Sequence, residues 1–286
     1  MNFHKSLKLV CILAVLLASC SAGKTSENPP VENTPVSTEA AQTQAAGAPT
    51  AASAPGEPTI EPVDDNLFSY PSLGISIKFD FPQDYDLPAI SSLVAKSLQS
   101  AGPGEPPYPE HARILFKESL GDTVSATDPG IRVFRASEVN EADPKAFESL
   151  DAVLKGQLDQ HSDFPRFAGA ANLVDAQVML FPFQNGNGYR YLFVKKFDAS
   201  SLSSTSMTYL YQGLTLDGQY MVTLIANIDA PFLEDLATGQ PFTTNDEIIA
   251  YKNLVNNRLN TADPNQFNPP LSMLDRLVSS ITIISK

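Results

Sequence analysis

The chain has 286 residues and a formal net charge of −13 at pH 7. A phosphate backbone or an anionic lipid surface would repel so acidic a protein, which argues against nucleic-acid binding and against anchoring by a polybasic patch. Both cysteines, Cys11 and Cys20, lie in the first twenty residues, so the remainder has neither a disulfide nor a redox thiol.

The first twenty residues have the pattern of a lipoprotein signal. Lys5 and Lys8 supply a basic start, residues 9–16 form an apolar run, and a Leu-Ala-Ser-Cys sequence ends at Cys20. The apolar run is too short to span a bilayer, which is typical of a cleaved export signal. We therefore predict a signal peptide over residues 1–19 and a lipidated Cys20, with plain secretion as the alternative. Acyl chains on Cys20 would hold the protein at the outer membrane or cell surface.

Residues 20–65 are predicted to form a disordered linker. This stretch is rich in Ala, Pro, Thr, Ser and Glu and has no aromatic residue, so it cannot bury enough apolar area to offset the entropy of ordering. As a flexible coil, its ends would lie roughly 35 to 40 Å apart. It would serve either as a spacer through a cell wall or surface layer, or as a neutral stalk.

Residues 66–286 are predicted to be one globular domain. Its first strands are predicted at residues 75–80, 111–117 and 131–133, and the first and last of these alternate apolar with polar residues. Asp143 followed by Pro144 then predicts the start of a helix, because both residue types are favoured at a helix N-terminus.

Two hairpins are predicted next. The first has an Asn- and Gly-rich turn at residues 184–188, and the second turns at Asp217 and Gly218, where positive φ angles are readily adopted. The four predicted strands are residues 178–183, 189–197, 207–212 and 219–228.

The end of the chain predicts two more helices. Thr244 and Glu247 form a capping box ahead of the first, and a Pro-Pro pair at 269–270 precedes the second. A short closing strand is predicted at 281–283. Together these elements predict an α+β fold, with an antiparallel sheet of about six strands and helices packed on one of its faces.

Several segments of this domain resemble a family of uncharacterised bacterial envelope proteins, which are often lipoproteins. They are Tyr-Pro-Ser-Leu-Gly-Ile-Ser at 70–76, Pro-Glu-His-Ala-Arg at 109–113, Phe-Gln-Asn-Gly-Asn-Gly-Tyr-Arg-Tyr at 183–191 and Tyr-Leu-Tyr-Gln-Gly-Leu at 209–214. Residues 274–281 resemble the closing helix of the Mog1/PsbP-like fold. The resemblance implies a scaffold that acts in binding or assembly, with no assigned activity.

The sequence has no pattern that predicts catalysis. It lacks a Gly-x-Ser-x-Gly elbow, a phosphate-binding loop and a dinucleotide-binding fingerprint, so no enzyme, catalytic residue or cofactor is predicted. Glu234 and Asp235 are not assigned as an acid and base pair, since any acidic chain offers such neighbours.

No metal site is predicted either. His111 and His161 have no His or Cys at ligand spacing, which argues against zinc or copper. The carboxylates that could bind calcium depart from a calcium-loop pattern, and we interpret them as solvated loop residues: Asp80, Asp84, Asp86 and Asp263.

Aromatic residues give the sharpest hypothesis for a site. Four of them share one face of a predicted strand, Tyr189, Tyr191, Phe193 and Phe197, and Tyr209 and Tyr211 share another. Tyr189, Arg190 and Tyr191 are therefore a candidate interface beside a polar turn at Asn185, with Lys195 as a further edge cation. The alternative is that these rings form the core beneath the helices.

These observations predict a membrane-anchored envelope lipoprotein that acts as a binding or assembly module. Its predicted partners are the membrane, through lipid on Cys20, and an envelope protein. The alternative function is small-ligand capture in an aromatic-lined pocket.

Overall fold

A computed structural model describes residues 67–81, 89–94, 108–116, 125–167 and 171–286. The predicted signal peptide, Cys20 and the predicted linker lie outside the described residues, as do Asp84 and Asp86. The described residues contain ten strands and four α-helices.

Seven antiparallel strands form the main sheet. In spatial order they are β3 (Ala89–Val94), β4 (His111–Phe116), β5 (Gly130–Arg135), β9 (Tyr220–Asp229), β8 (Ser206–Thr215), β7 (Gly186–Lys196) and β6 (Ala171–Phe183). The two predicted hairpins are β6 with β7 and β8 with β9. The predicted α+β class with an antiparallel sheet is confirmed, and this sheet has seven strands where about six were predicted.

A second antiparallel sheet has three strands. They are β1 (Leu67–Tyr70), β2 (Ile75–Lys78) and β10 (Thr282–Ser285), with β2 in the middle. Ile75 and Ile77 of β2 belong to the same hydrophobic core as side chains of the main sheet. The predicted closing strand is present as β10.

Four α-helices are described, of which two begin at a predicted capping residue. They are α1 (Ala136–Ala142), α2 (Pro144–Leu154), α3 (Asn245–Thr261) and α4 (Leu271–Ser280). The carboxylate of Asp143 accepts the Ala146 backbone N–H at the start of α2, at 3.2 Å. Thr244 and Glu247 form the predicted capping box of α3. Only α1 has no counterpart in the sequence-based prediction.

Both faces of the main sheet are covered. The small sheet, α3 and α4 share a core with one face, and α1 and α2 share a second core with the other. The prediction that helices cover a single face is therefore wrong. The physical reason for this error is seen in β9. Every residue from 220 to 226 is buried there, as in a central strand between two layers.

Two glycines predicted to lie in the first turn belong instead to β7. Gly186 pairs with Thr215 and Gly188 with Gly213, so the strand starts three residues earlier than predicted. A Cβ atom at Gly188 would overlap the hydroxyl group of Tyr211. The glycine lets this ring cross β7 and donate to the carbonyl oxygen of Phe181 on β6, at 3.2 Å.

Candidate functional site

The candidate interface of Tyr189, Arg190 and Tyr191 lies inside the protein, with exposed fractions of 0%, 2% and 1%. The two tyrosines and Phe193 belong to the core shared with α1 and α2, and we call these three rings the aromatic row. Phe197 lies beyond the end of β7 and is exposed. This burial is incompatible with an exposed interface at the three candidate side chains, and it matches the alternative that the rings are core.

The two cations expected at the edge of the aromatic row are both paired. The Nε atom of Arg190 lies 3.0 Å from Oδ1 of Asp275 on α4, and the hydroxyl group of Tyr209 donates to the same oxygen at 2.8 Å. Burial raises the pKa of Asp275, against the opposing influence of Arg190 and Tyr209. The Nζ atom of Lys195 lies 2.7 Å from Oδ1 of Asp163. Each of these ion pairs connects β7 with another layer of the fold.

Residues 158–167, which we call the covering segment, pack on the aromatic row. The hydroxyl group of Tyr189 donates to the carbonyl oxygen of Ser162 at 3.2 Å. The rings of His161 and Tyr191 lie 4.5 Å apart between centroids. The aromatic row is therefore an internal surface between β7 and the covering segment.

The turn of the first hairpin is also engaged within the protein. The Nδ2 atom of Asn185 donates to the carbonyl oxygen of Ile283 at 2.6 Å, and the backbone N–H of Ile283 donates to Oδ1 of Asn185 at 3.0 Å. The amide side chain thus pairs with β10 as a neighbouring strand would. The turn anchors the small sheet to the main sheet.

The histidines take part in packing. His161 Nε2 lies 2.7 Å from Oδ1 of Asp175, and His111 Nδ1 lies 2.9 Å from the carbonyl oxygen of Pro109. The Asp263 carboxylate accepts a backbone N–H of a short helical turn. In the part of the chain that the structure describes, no three His, Cys, Asp or Glu residues gather into a group that could hold a metal ion.

An open groove lies where β6 and β7 meet the turn between β8 and β9, and its volume is about 560 Å³. Leu180 and Leu216 line it, with exposed fractions of 42% and 75%. We call it the Leu216 groove. Its apolar lining comes from Leu154, Leu180, Phe181, Pro182, Leu214 and Leu216.

A smaller pocket of about 250 Å³ lies beside Phe197, with Phe242 and Lys252 in its lining. This volume is below the range of roughly 300 to 1,000 Å³ that is usual for ligand sites. The pocket is therefore a weaker candidate site than the Leu216 groove.

The sequence patterns do not reveal the Leu216 groove. The residues of β6 predict a strand. A strand pattern, however, does not indicate which part of the strand is left without other elements packed on it. The usable signal was Leu216 itself, because it directly precedes the Asp217 and Gly218 turn, where polar residues are the rule.

No helix among the described residues is long and apolar enough to cross a membrane. No protein-family model, curated protein or solved structure matches the chain.

Proposed function

We propose that the protein is a lipid-anchored binding or assembly module of the cell envelope, and that it docks a partner protein in the Leu216 groove. The exposure of Leu180 and Leu216 within one concave site carries the proposal. Scattered exposed apolar residues need no explanation, whereas grouped ones are typical of interaction surfaces. Lipid on Cys20 would keep the groove near the membrane while the linker lets it reach a partner.

The form of the groove supports a protein partner over a small ligand. A ligand site usually encloses most of its ligand, but Leu216 is three-quarters exposed at the wall of this groove. The covering segment packs on the aromatic row, and these are the rings that would have lined a ligand pocket. Binding through a surface is therefore better supported than capture of a small molecule.

Side-chain insertion is the mode of docking that β6 favours. Addition of a strand requires free backbone donors along the edge, and Pro182 has none. Farther along β6, the backbone N–H groups of Asp175 and Gln177 already donate to Asn256 and Asn260 of α3. We therefore expect the partner to insert a large apolar side chain beside Leu216.

Asp217 adds negative charge next to the groove. Its carboxylate accepts hydrogen bonds from the Thr215 hydroxyl at 2.5 Å and from the Gln219 backbone N–H at 3.0 Å, and both lower its pKa. It is therefore ionised at neutral pH. A basic residue next to the apolar anchor of the partner would complement this charge and add specificity.

Photo-crosslinking in the native envelope tests the proposal. Two full-length proteins are compared. In the first, a crosslinking amino acid replaces Leu180. The second has the same replacement together with Leu216→Asp. The first protein is expected to form a discrete crosslinked species with a partner. Leu216→Asp is expected to abolish that species, because a carboxylate in the groove would be desolvated by an apolar side chain.

Leu254 provides a matched control, since it is a leucine on α3 with a similar exposed fraction of 44%. Leu254→Asp should leave the crosslinked species unchanged. If Leu254→Asp removes the species as well, or if none forms at position 180, the Leu216 groove is not the docking site.

A further inference from the structure

A row of polar side chains crosses the main sheet on the face that carries the aromatic row, and all of them except Arg113 at its end are buried. Successive members are direct cross-strand partners, so they lie side by side on one face. In order from β4 to β7 they are Arg113, Arg132, Thr223, Gln212 and Tyr189.

Arg132 stands out in this row because it is completely buried and only partly hydrogen-bonded. Its exposed fraction is 0%, and its Nη2 atom donates to the carbonyl oxygen of Asp128 at 2.6 Å. Its Nε and Nη1 atoms have no hydrogen-bond partner among the described residues, and neither has the buried hydroxyl of Thr223 beside it. Interiors leave few such polar atoms without partners, because each loses its hydration on burial.

The electrostatic surroundings of Arg132 favour a negative group. Arg113 lies directly opposite on β4, and like charges in this position repel each other. Burial lowers the pKa of Arg132 to about 9, with a further contribution from Arg113 and an opposing one from Asp128. No ion pair among the described residues includes Arg132.

We propose that Arg132 and Thr223 form a binding site for one small oxyanion of the phosphate or carboxylate class. A guanidinium group only donates hydrogen bonds, and the hydroxyl can donate one, so the site requires a group that accepts several. Water would satisfy individual donors without compensating the charge, whereas an oxyanion does both. Because Arg132 has no accessible surface, the ligand must be small and the side chains around the guanidinium must move apart to admit it. The site is separate from the Leu216 groove.

Thermal unfolding of the full-length chain in detergent tests this site. Phosphate, acetate and chloride are added in turn at constant ionic strength, so that general screening is the same in each series. Phosphate or acetate is expected to give a rise in Tm that grows with the logarithm of its concentration above the Kd and reaches roughly 5 to 10 °C at a hundredfold excess over the Kd. The effective anion tells whether the site prefers phosphate or carboxylate. An equal rise with chloride, or no rise at all, overturns the proposal.

Two arginine variants give the matched comparison. Arg132→Met is expected to abolish the rise in Tm, while Arg258→Met, at an exposed arginine paired with Asp235, should retain it. An equal rise in both variants would show that the effect is unrelated to Arg132. If Arg132→Met does not fold, Thr223→Val replaces it in isothermal titration calorimetry with the effective anion. One site per chain, weakened by at least threefold in Thr223→Val, is expected, and unchanged affinity overturns the proposal.

Discussion

The Nε2 atom of His161 lies 2.7 Å from Oδ1 of Asp175, while its Nδ1 atom lies 2.6 Å from the carbonyl oxygen of Leu158. Both partners are hydrogen-bond acceptors, but a neutral imidazole has only one N–H. The geometry therefore fits an imidazolium that donates at both nitrogens. Burial alone would lower the pKa of His161, yet the hydrogen bonds and the nearby carboxylates outweigh it and raise the pKa.

The attachment of the covering segment should consequently weaken at alkaline pH. Because the folded-state pKa of His161 lies above the ordinary value of 6.5, its contribution to stability is complete below pH 6.5. The contribution is lost as the pH rises through the folded-state value. We expect His161→Gln to lower the free energy of unfolding by about 1 kcal/mol at pH 5.5, allowing for the partial exposure of Asp175, and by less at pH 9. Urea denaturation across this range measures the difference.

The Asp175→Asn background is the control for this prediction. Without the carboxylate, the effect of His161→Gln should no longer depend on pH. The titration of His111 is common to all four proteins and cancels in the comparison. A pH dependence that persists in Asp175→Asn would contradict the assignment of the ion pair.

His111 should act in the opposite direction and at lower pH. Burial lowers its pKa to about 4, with help from the charges of Arg132 and Arg113 and opposition from the hydrogen bond to Pro109. The stability associated with neutral His111 is complete above pH 6.5 and is lost as the pH falls towards 4, which amounts to roughly 3 kcal/mol. His111→Gln should lose less stability than the native protein between pH 7 and pH 4. Parallel stability curves for the two proteins would exclude this role.

Removing one partner of the Arg190 and Asp275 pair should be more costly than removing both. Asp275→Leu leaves the guanidinium of Arg190 buried without its carboxylate, and we expect a loss of about 3 kcal/mol in the free energy of unfolding. Adding Arg190→Met should recover most of it, because two apolar side chains can fill the same space. Chemical denaturation measures both proteins. Asp235→Leu removes one partner of an exposed pair and is the control, and it should cause no measurable loss in the free energy of unfolding. A loss comparable to that of Asp275→Leu would argue against burial as the cause.

The sequence predicted the elements of this fold because their signals are local. Asp143 caps α2, Thr244 caps α3, and Gly218 adopts a positive φ in the second hairpin turn. Each of these features depends on residues within four positions along the chain. The predicted helices and hairpins were therefore found, whereas α1, β1 and β3 were not predicted, several strand ends differ, and helices cover both faces instead of one.

The position of the candidate site could not be predicted in the same way. The strand period does place Tyr189 and Arg190 on opposite faces of β7, but it does not tell that both faces are covered. That outcome depends on Asp275, 85 positions from Arg190, and on Ser162, 27 positions from Tyr189. Leu216 became a candidate only when the uncovered groove beside it was visible.

Lipidation of Cys20 remains a prediction that cell fractionation can test. Cys20→Ala removes the thiol to which lipid would be attached, so the protein should pass from the membrane fraction to the soluble fraction. Lipid chains hold a protein by the apolar area that they bury, which adds about 0.8 kcal/mol per CH₂ group, so high salt should not release the native protein. Because residues 21–66 lie between Cys20 and the first described residue, Cys20→Ala should leave the Tm of the described part of the chain unchanged.

Cys11→Ala is the matched control, since it also removes a cysteine from the leader but leaves the Leu-Ala-Ser-Cys sequence intact. The Cys11 variant should fractionate with membranes and have the same mass as the native mature protein, including its acyl chains. Mass spectrometry of the N-terminal peptide then separates lipidation from other forms of membrane attachment. A Cys20→Ala protein that stays with membranes in high salt would show that something other than lipid on this cysteine holds it there.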